Sequence, residues 1–235
     1  MSTVESIERY LRTQLAADAK VPGQEEDRGI RAFVTISRQA GTGGHALADA
    51  IVEAFGHQPE PAFHGWVVYD RTVCDLVAED EAYAPNLDSL LHEEYRSMAK
   101  DWFHQILHRT VDQDLVMHRV ALVVRTLAGM GKSIIVGRGG VHATDGMSGG
   151  LAVRMVAPME SRVARSMRVD HYGDEDETIE QLRQNDRHRA RLIRAAYDAE
   201  IDDPTRYDLV CNAGRMTHAE MAEAVVATLR ARLGS

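Results

Sequence analysis

The run Ala32-Phe33-Val34-Thr35-Ile36 is short, apolar and rich in β-branched residues, and it leads through the loop SRQAGTGG into HALADAIVEAFG. An apolar run bounded by turn residues suits a strand buried on both faces of a parallel sheet. In the third piece Leu47, Ile51, Val52 and Phe55 share one helical face, and Gly56 supplies the stop. A strand, a glycine-rich turn and a helix in this order constrain the fold strongly, because the turn must end at a helix N-terminus whose first amides lack intrahelical partners. The turn is Gly41-Thr42-Gly43-Gly44. Glycines there allow close backbone approach and positive φ, so the segment reads as a seat for phosphate oxygens.

Three readings of the turn stand at this point. One is an ordinary strand-to-helix connection. A second is a dinucleotide fingerprint, because Gly41-x-Gly43-x-x-Ala46 fits its permissive form. Against it, Ser37 to Ala40 stand where that fold has a tight turn, and Asp70 lies beyond the usual place of the ribose acid. The third is a P-loop, whose wider cradle needs those four residues. Aligned on Gly43, the first Walker glycine is Arg38, the lysine is Gly44 and the magnesium-holding hydroxyl is His45. The string Gly131-Lys132-Ser133 looks closer to the Walker pattern, but Thr126 replaces the earlier glycine and a strand follows, so it reads as a turn.

Further strands are expected at Trp66 to Tyr69, Ser133 to Val136, Leu151 to Ala157 and Tyr207 to Cys211, with helices near 159–170, 175–197 and 217–232. Strands alternating with helices call for an α/β fold with a parallel sheet covered on both faces. Residues 1–30 read as an N-terminal helix and linker, with Ser2-Thr3-Val4-Glu5 fitting a capping box. Residues 31–235 read as one domain carrying a helical insertion at about 80–130. A net charge of −9 argues against a broad nucleic-acid-binding surface but leaves room for a small anionic ligand. No apolar run is long enough to span a membrane and MSTVESIERY lacks the apolar core of a signal peptide, so a cytoplasmic location is expected. Cys74 and Cys211 stand in unrelated segments and suggest neither a disulfide nor a thiolate metal site.

Arg183, Arg187, Arg191 and Arg194 recur at helical spacing on one face. Such a stripe is either solvated and paired with carboxylates such as Glu180 or gathered to meet an anion; for the group, the second is the expectation. Arg138 follows a buried-strand pattern, where open parallel sheets place ligand contacts, and is a candidate for acceptor phosphate. His104 and His108 share a helical face but lack a third metal ligand, so an ordinary surface helix is the expectation there. Trp102, Phe103, Ile106 and Leu107 fit either core or a homo-oligomer contact through the insertion.

The blocks VTISRQAGTGGHALADAI, VVYDRTVCDLVA, SIIVGRGGVHA, LAVRMVAPMESRVAR, NDRHRARLIRAAY and DDPTRYDLVCNAGRMTHAE resemble, in order, those of the cytidylate kinase-like family. The resemblance implies a three-layer α/β/α P-loop NTPase fold of nucleoside-monophosphate-kinase type with a sheet of about five parallel strands. It implies ATP phosphates at Ser37, Gly41, Thr42, Gly43, Gly44 and His45, with Mg2+ bridging them, and a CMP-like acceptor over the opposite strand ends. Arg38 would then carry the charge of the missing lysine. Arg162 and Arg165 would begin the helix leading to a lid, Asp186, Arg187 and Arg191 would lie on its return, and Arg187 and Arg191 would serve catalysis with Arg38. Asp70 and Arg71 would face the acceptor, and Asn212 would lie near the adenine. The family's Gly-Arg-Asp stands here as Gly137-Arg138-Gly139, which removes an acid. The implied function is phosphoryl transfer from ATP to a nucleoside monophosphate or a related small acceptor. The alternative is a regulatory nucleotide-binding protein that has lost catalysis.

Overall fold

The computed structural model describes residues 31–70, 113–169 and 174–234. Their elements are β1 (Phe33–Arg38), α1 (Gly44–Gly56), β2 (Val67–Tyr69), α2 (Gln113–Met130), β3 (Ser133–Val136), the single turn α3 (Gly140–Ala143), β4 (Gly150–Val156), α4 (Met159–Val169), α5 (Glu175–Tyr197), β5 (Leu209–Asn212) and α6 (His218–Leu233). The strands form one parallel sheet in the order β2-β3-β1-β4-β5, with β1 central. This is the expected α/β architecture with five parallel strands and helices on both faces. The N-terminal helix and linker, and the part of the expected insertion that precedes α2, with His104, His108 and its aromatic residues, lie outside the described residues.

Period-two alternation on β1 divides the core. Val34 and Ile36 pack with Leu47, Ile51 and Phe55 of α1 and Met221 and Val225 of α6, while Phe33 packs under Val120, Val124 and Leu127 of α2. All four residues of β3 are buried, which explains why SIIV shows no polar alternation. Phe55 meets Phe63 and Trp66 with ring centroids 5.2 and 4.7 Å apart, closing the lower end of α1.

Two strand limits differ from the sequence expectation by two residues, and the others by at most one. β1 continues past Ile36 because Ser37 and Arg38 pair with Arg154 and Met155 of β4. β5 starts later than Tyr207 because the turn Pro204–Arg206 precedes it and the Asp208 carboxylate accepts the Ala152 amide at 2.7 Å. The helix ends follow local chemistry: Asp174 caps α5 by accepting from the Glu177 amide, and Thr217 and Glu220 form a reciprocal capping box on α6. Gly131 and Lys132, at φ 76° and 51°, form the expected turn into β3.

Candidate active site

The loop after β1 is held from below. The Gln39 amide donates to the Met155 carbonyl at 3.0 Å, the Gln39 side chain accepts from the Ala157 amide at 3.0 Å, and the buried Thr42 hydroxyl donates to the Gln39 carbonyl at 2.8 Å. Gly41 has φ 79° and rests on α4, where a Cβ would stand 2.9 Å from Ser166 Oγ and 3.0 Å from the Arg162 carbonyl oxygen. Gly43, at φ 82°, is the left-handed N-cap of α1. No side chain caps α1 and its first turn holds no acid, so its leading amides carry the positive end of the helix dipole without a side-chain acceptor. Such an end suits an anion. His45, in the second helical position, is exposed.

Arg38, at the end of β1, is the central cation. Its stem passes 3.2 to 3.3 Å from where a Cβ on Gly44 would stand, and its guanidinium lies over Gly137. Burial first, then the charges of Arg189, Arg138 and Arg154, push its pKa down to about 10, against a raising effect of Asp70. An arginine remains protonated at neutral pH, so that lowering measures like-charge crowding around a cation with little water to relieve it. The guanidinium borders a cavity of about 210 Å³ lined also by Arg138, His142, Asn185, His188 and Arg189. Arg138 itself has φ 53°, between Gly137 at 82° and Gly139 at 65°. Three successive left-handed residues turn the chain sharply at the end of β3 and set Arg138 at the cavity wall.

A second cavity, of about 400 Å³, opens on the other side of the loop between α4 and the start of α6. Gly41, Thr42, Arg162, Arg165, Met216 and His218 line it. His218 Nε2 lies 3.1 Å from the Thr42 carbonyl oxygen, and Arg165 Nε and His218 Nε2 both stand 2.7 Å from where a Gly43 Cβ would be. From α5, Asp186 reaches the loop: Oδ1 accepts the Ala40 amide at 2.7 Å and Oδ2 pairs with Arg162 Nη1 at 2.5 Å.

The structure thus brings Arg38, Arg138 and Asp70 together on one side of the loop and Arg162 and Arg165 on the other. Ser37 lies beneath Arg38, where its hydroxyl accepts from Arg154 Nη1 at 2.7 Å. Asn212 lines neither cavity; its side chain accepts the Gly214 amide at 3.0 Å and closes the turn after β5. Arg71 lies outside the described residues. Arg187 and Arg191 are not brought to either cavity. The stripe with Arg183 and Arg194 faces solvent, with Arg187 on Glu180 at 2.6 Å and Arg194 on Glu200. The face of α5 turned to the loop carries Asp186 and Arg189 instead, because Leu182 and Ile193 are the residues it buries.

Sequence reasoning did not single out Arg154 or Arg189. Arg154 is buried on β4, with Nη2 on Asp202 at 2.5 Å and its guanidinium 5.7 Å from the Tyr207 ring centroid. A lone charge inside the apolar run LAVRMV was the available signal.

Comparison with known proteins adds the following. Residues 33–215 match the model of the cytidylate kinase-like family. A structure of an uncharacterised protein from Eubacterium ventriosum superposes with a TM-score of 0.66 at 18% identity, over 86% of this chain and 99% of that one. It shares the fold. A shikimate kinase from Bacteroides thetaiotaomicron gives a TM-score of 0.46 at 13% identity, over 87% of this chain and 99% of its own. A gluconokinase from Sinorhizobium meliloti gives 0.46 at 14%, over 88% and 97%. Both are similarities of outline. A uronate isomerase from Corynebacterium glutamicum is 32% identical over 95 residues, which are 40% of this chain and 18% of that protein. The chain thus spans less than a fifth of that relative's length.

Proposed function

The chain belongs to the cytidylate kinase-like family, and from that premise we propose that it transfers a phosphoryl group from ATP to a nucleoside monophosphate, CMP-like, or to a related small acceptor. The observation that carries this reading is the uncapped N-terminus of α1 beside the crowded, buried Arg38. Phosphoryl transfer asks a protein chiefly to hold two anions in line and to neutralise charge between them. Here the leading amides of α1 would hold donor phosphates. Arg162, Arg165 and His218 would border the donor nucleotide in the larger cavity, while Arg138 and Arg189 would face the acceptor in the smaller one. Arg38 lines the smaller cavity and runs past Gly44 at the start of α1. Its stem occupies the space beside Gly44, where a Walker lysine would start, and its charge lies toward Arg138, so it would meet the group in transit.

Mg2+ would be carried on the phosphates of the nucleotide, as this cation commonly is. Among the described residues no group of three metal-ligating side chains exists, and His45 stands where the Walker hydroxyl would be. Those two replacements, Gly44 and His45, support the second reading, a nucleotide-binding protein without turnover. A coupled phosphotransfer assay across nucleoside monophosphates, run with nucleotide-dependent thermal shifts, separates the two. Turnover with one preferred acceptor is the expected result; thermal shifts without turnover would leave only the binding role.

A further inference from the structure

An acid beside a phosphate seat is electrostatically adverse, and Asp186 stands there, so its position needs another cause. Its carboxylate joins three parts of the site. Oδ1 accepts the Ala40 amide at 2.7 Å, and Oδ2 pairs with Arg162 Nη1 at 2.5 Å. The same Nη1 donates to the Ala40 carbonyl at 3.2 Å, so both backbone groups of Ala40 are closed into one ring with the two side chains. Arg189 Nη1 stands 4.0 Å from Oδ1 and donates to the Arg38 carbonyl at 3.1 Å.

Arg162 comes from α4 and borders the donor cavity, whereas Arg189 comes from α5 and borders the acceptor cavity. One carboxylate therefore lies against both guanidinium groups and the loop between them. The amide it takes lies ahead of α1, which leaves the leading amides of that helix to an anion. Arg162 is almost wholly buried and its Nε has no hydrogen-bond partner among the described residues. Without Asp186 it would keep only a carbonyl contact, and a buried cation deprived of its anion repositions.

We propose that Asp186 is the positioning residue of this site, fixing Arg162 and Arg189 against the loop so that their charges meet the phosphates in one geometry. The kinetic part of this rests on the phosphotransfer reading; the structural part does not. The rival is a plug, a carboxylate that merely occupies the loop until phosphate displaces it, and it predicts the opposite sign on affinity.

The test uses the full chain with Asp186→Asn, Asp186→Glu, Arg162→Lys and the double variant Asp186→Asn/Arg162→Lys. Circular dichroism checks folding, and the Glu variant keeps the charge if Asn proves unstable. Three quantities are read: amide exchange over residues 38–44 without nucleotide, ATP affinity by calorimetry, and kcat with KM. Positioning gives faster exchange in Asp186→Asn and weaker ATP binding. It also gives a kcat lower by about 10²-fold with acceptor KM within about twofold, as for a displaced charge acting in the transition state. The double variant should be no worse than the poorer single one. Unchanged exchange, additive losses or tighter ATP binding in Asp186→Asn would overturn the proposal. If the unaltered chain shows no turnover, the phosphotransfer reading falls by itself, and exchange together with affinity still decides the role of Asp186.

Discussion

Arg38 lies across Gly137, so that any side chain at residue 137 would project into the guanidinium and a Cβ would overlap Nη1. Gly137 also has φ 82°, a conformation that L side chains resist. Gly137→Ala should therefore lower stability by about 1–3 kcal/mol and displace Arg38, with loss of nucleotide-dependent stabilisation. Urea denaturation of Gly137→Ala, Arg38→Ala and the pair gives the check. In the Arg38→Ala background the second change should cost less, because only the backbone strain remains; equal costs in both backgrounds would mean that the two residues do not interact.

Gly44 stands where a Walker lysine would, and a Cβ on it would meet Arg38 Cδ at 3.2 Å. Lysine and arginine thus compete for one channel. Arg38→Ala should abolish the thermal shift given by ATP, a loss of about 1.5–3 kcal/mol expected for a charge-assisted hydrogen bond. Gly44→Lys alone should also weaken ATP binding by crowding Arg38. The combination Arg38→Ala/Gly44→Lys should bind better than either single variant. An undiminished ATP shift in Arg38→Ala would retire the idea that its charge replaces the lysine.

How far these features could be read in advance follows from their periodicity. The first strand, read at 32–36 and found at 33–38, and the helix at 44–56 announce themselves because one is a buried run and the other repeats its apolar residues at helical spacing. Gly41 and Gly43 were legible for the same reason, as glycines trapped between two such patterns. Arg138 was legible as the first polar side chain after a buried strand. α5 was harder. It offers two arginine-bearing faces, and four arginines on one of them outweighed the residues that bury the other. Positions 182, 186, 189 and 193 share a face, so Leu182 and Ile193 already assigned Asp186 and Arg189 to the inside. Arg154 escaped because a strand with one charge still scores as apolar, and its partners Ser37 and Asp202 are distant in sequence.

The Arg154 side chain is 5% exposed and that of Asp202 73%, so the pair joins a buried cation to a solvated acid. Screening reduces the worth of the acid side. Asp202→Ala should then cost only about 1 kcal/mol, whereas Ser37→Ala together with it leaves the guanidinium with the Tyr207 ring and should cost about 3 kcal/mol. Thermal and urea denaturation of the two variants checks the order. A charge-free replacement of Arg154 by Met, if as stable as the native chain, would show that the network serves the position of Ser37 and Arg38 rather than stability.

His142 stacks on Tyr197 with ring centroids 5.5 Å apart and is nearly enclosed, with Nε2 lacking a hydrogen-bond partner among the described residues. Burial first, and then the charge of Arg206, push its pKa below the ordinary 6.5, against a raising effect of Asp145. Between the lowered value and 6.5 the unfolded chain binds a proton that the folded chain refuses. Stability therefore rises with pH across that window and is lost as pH falls below 6.5. The carboxylates of Glu60 and Glu220, whose pKa values hydrogen bonds hold below 4.5, act in the same direction but only in more acid solution. His142→Phe keeps the stack and removes the titration. Its unfolding free energy should be flatter between pH 7.5 and 5 than that of the native chain, the difference in slope not exceeding about 1.4 kcal/mol per pH unit. Parallel pH profiles of the two proteins would show that His142 is protonated in the folded state as readily as in the unfolded one.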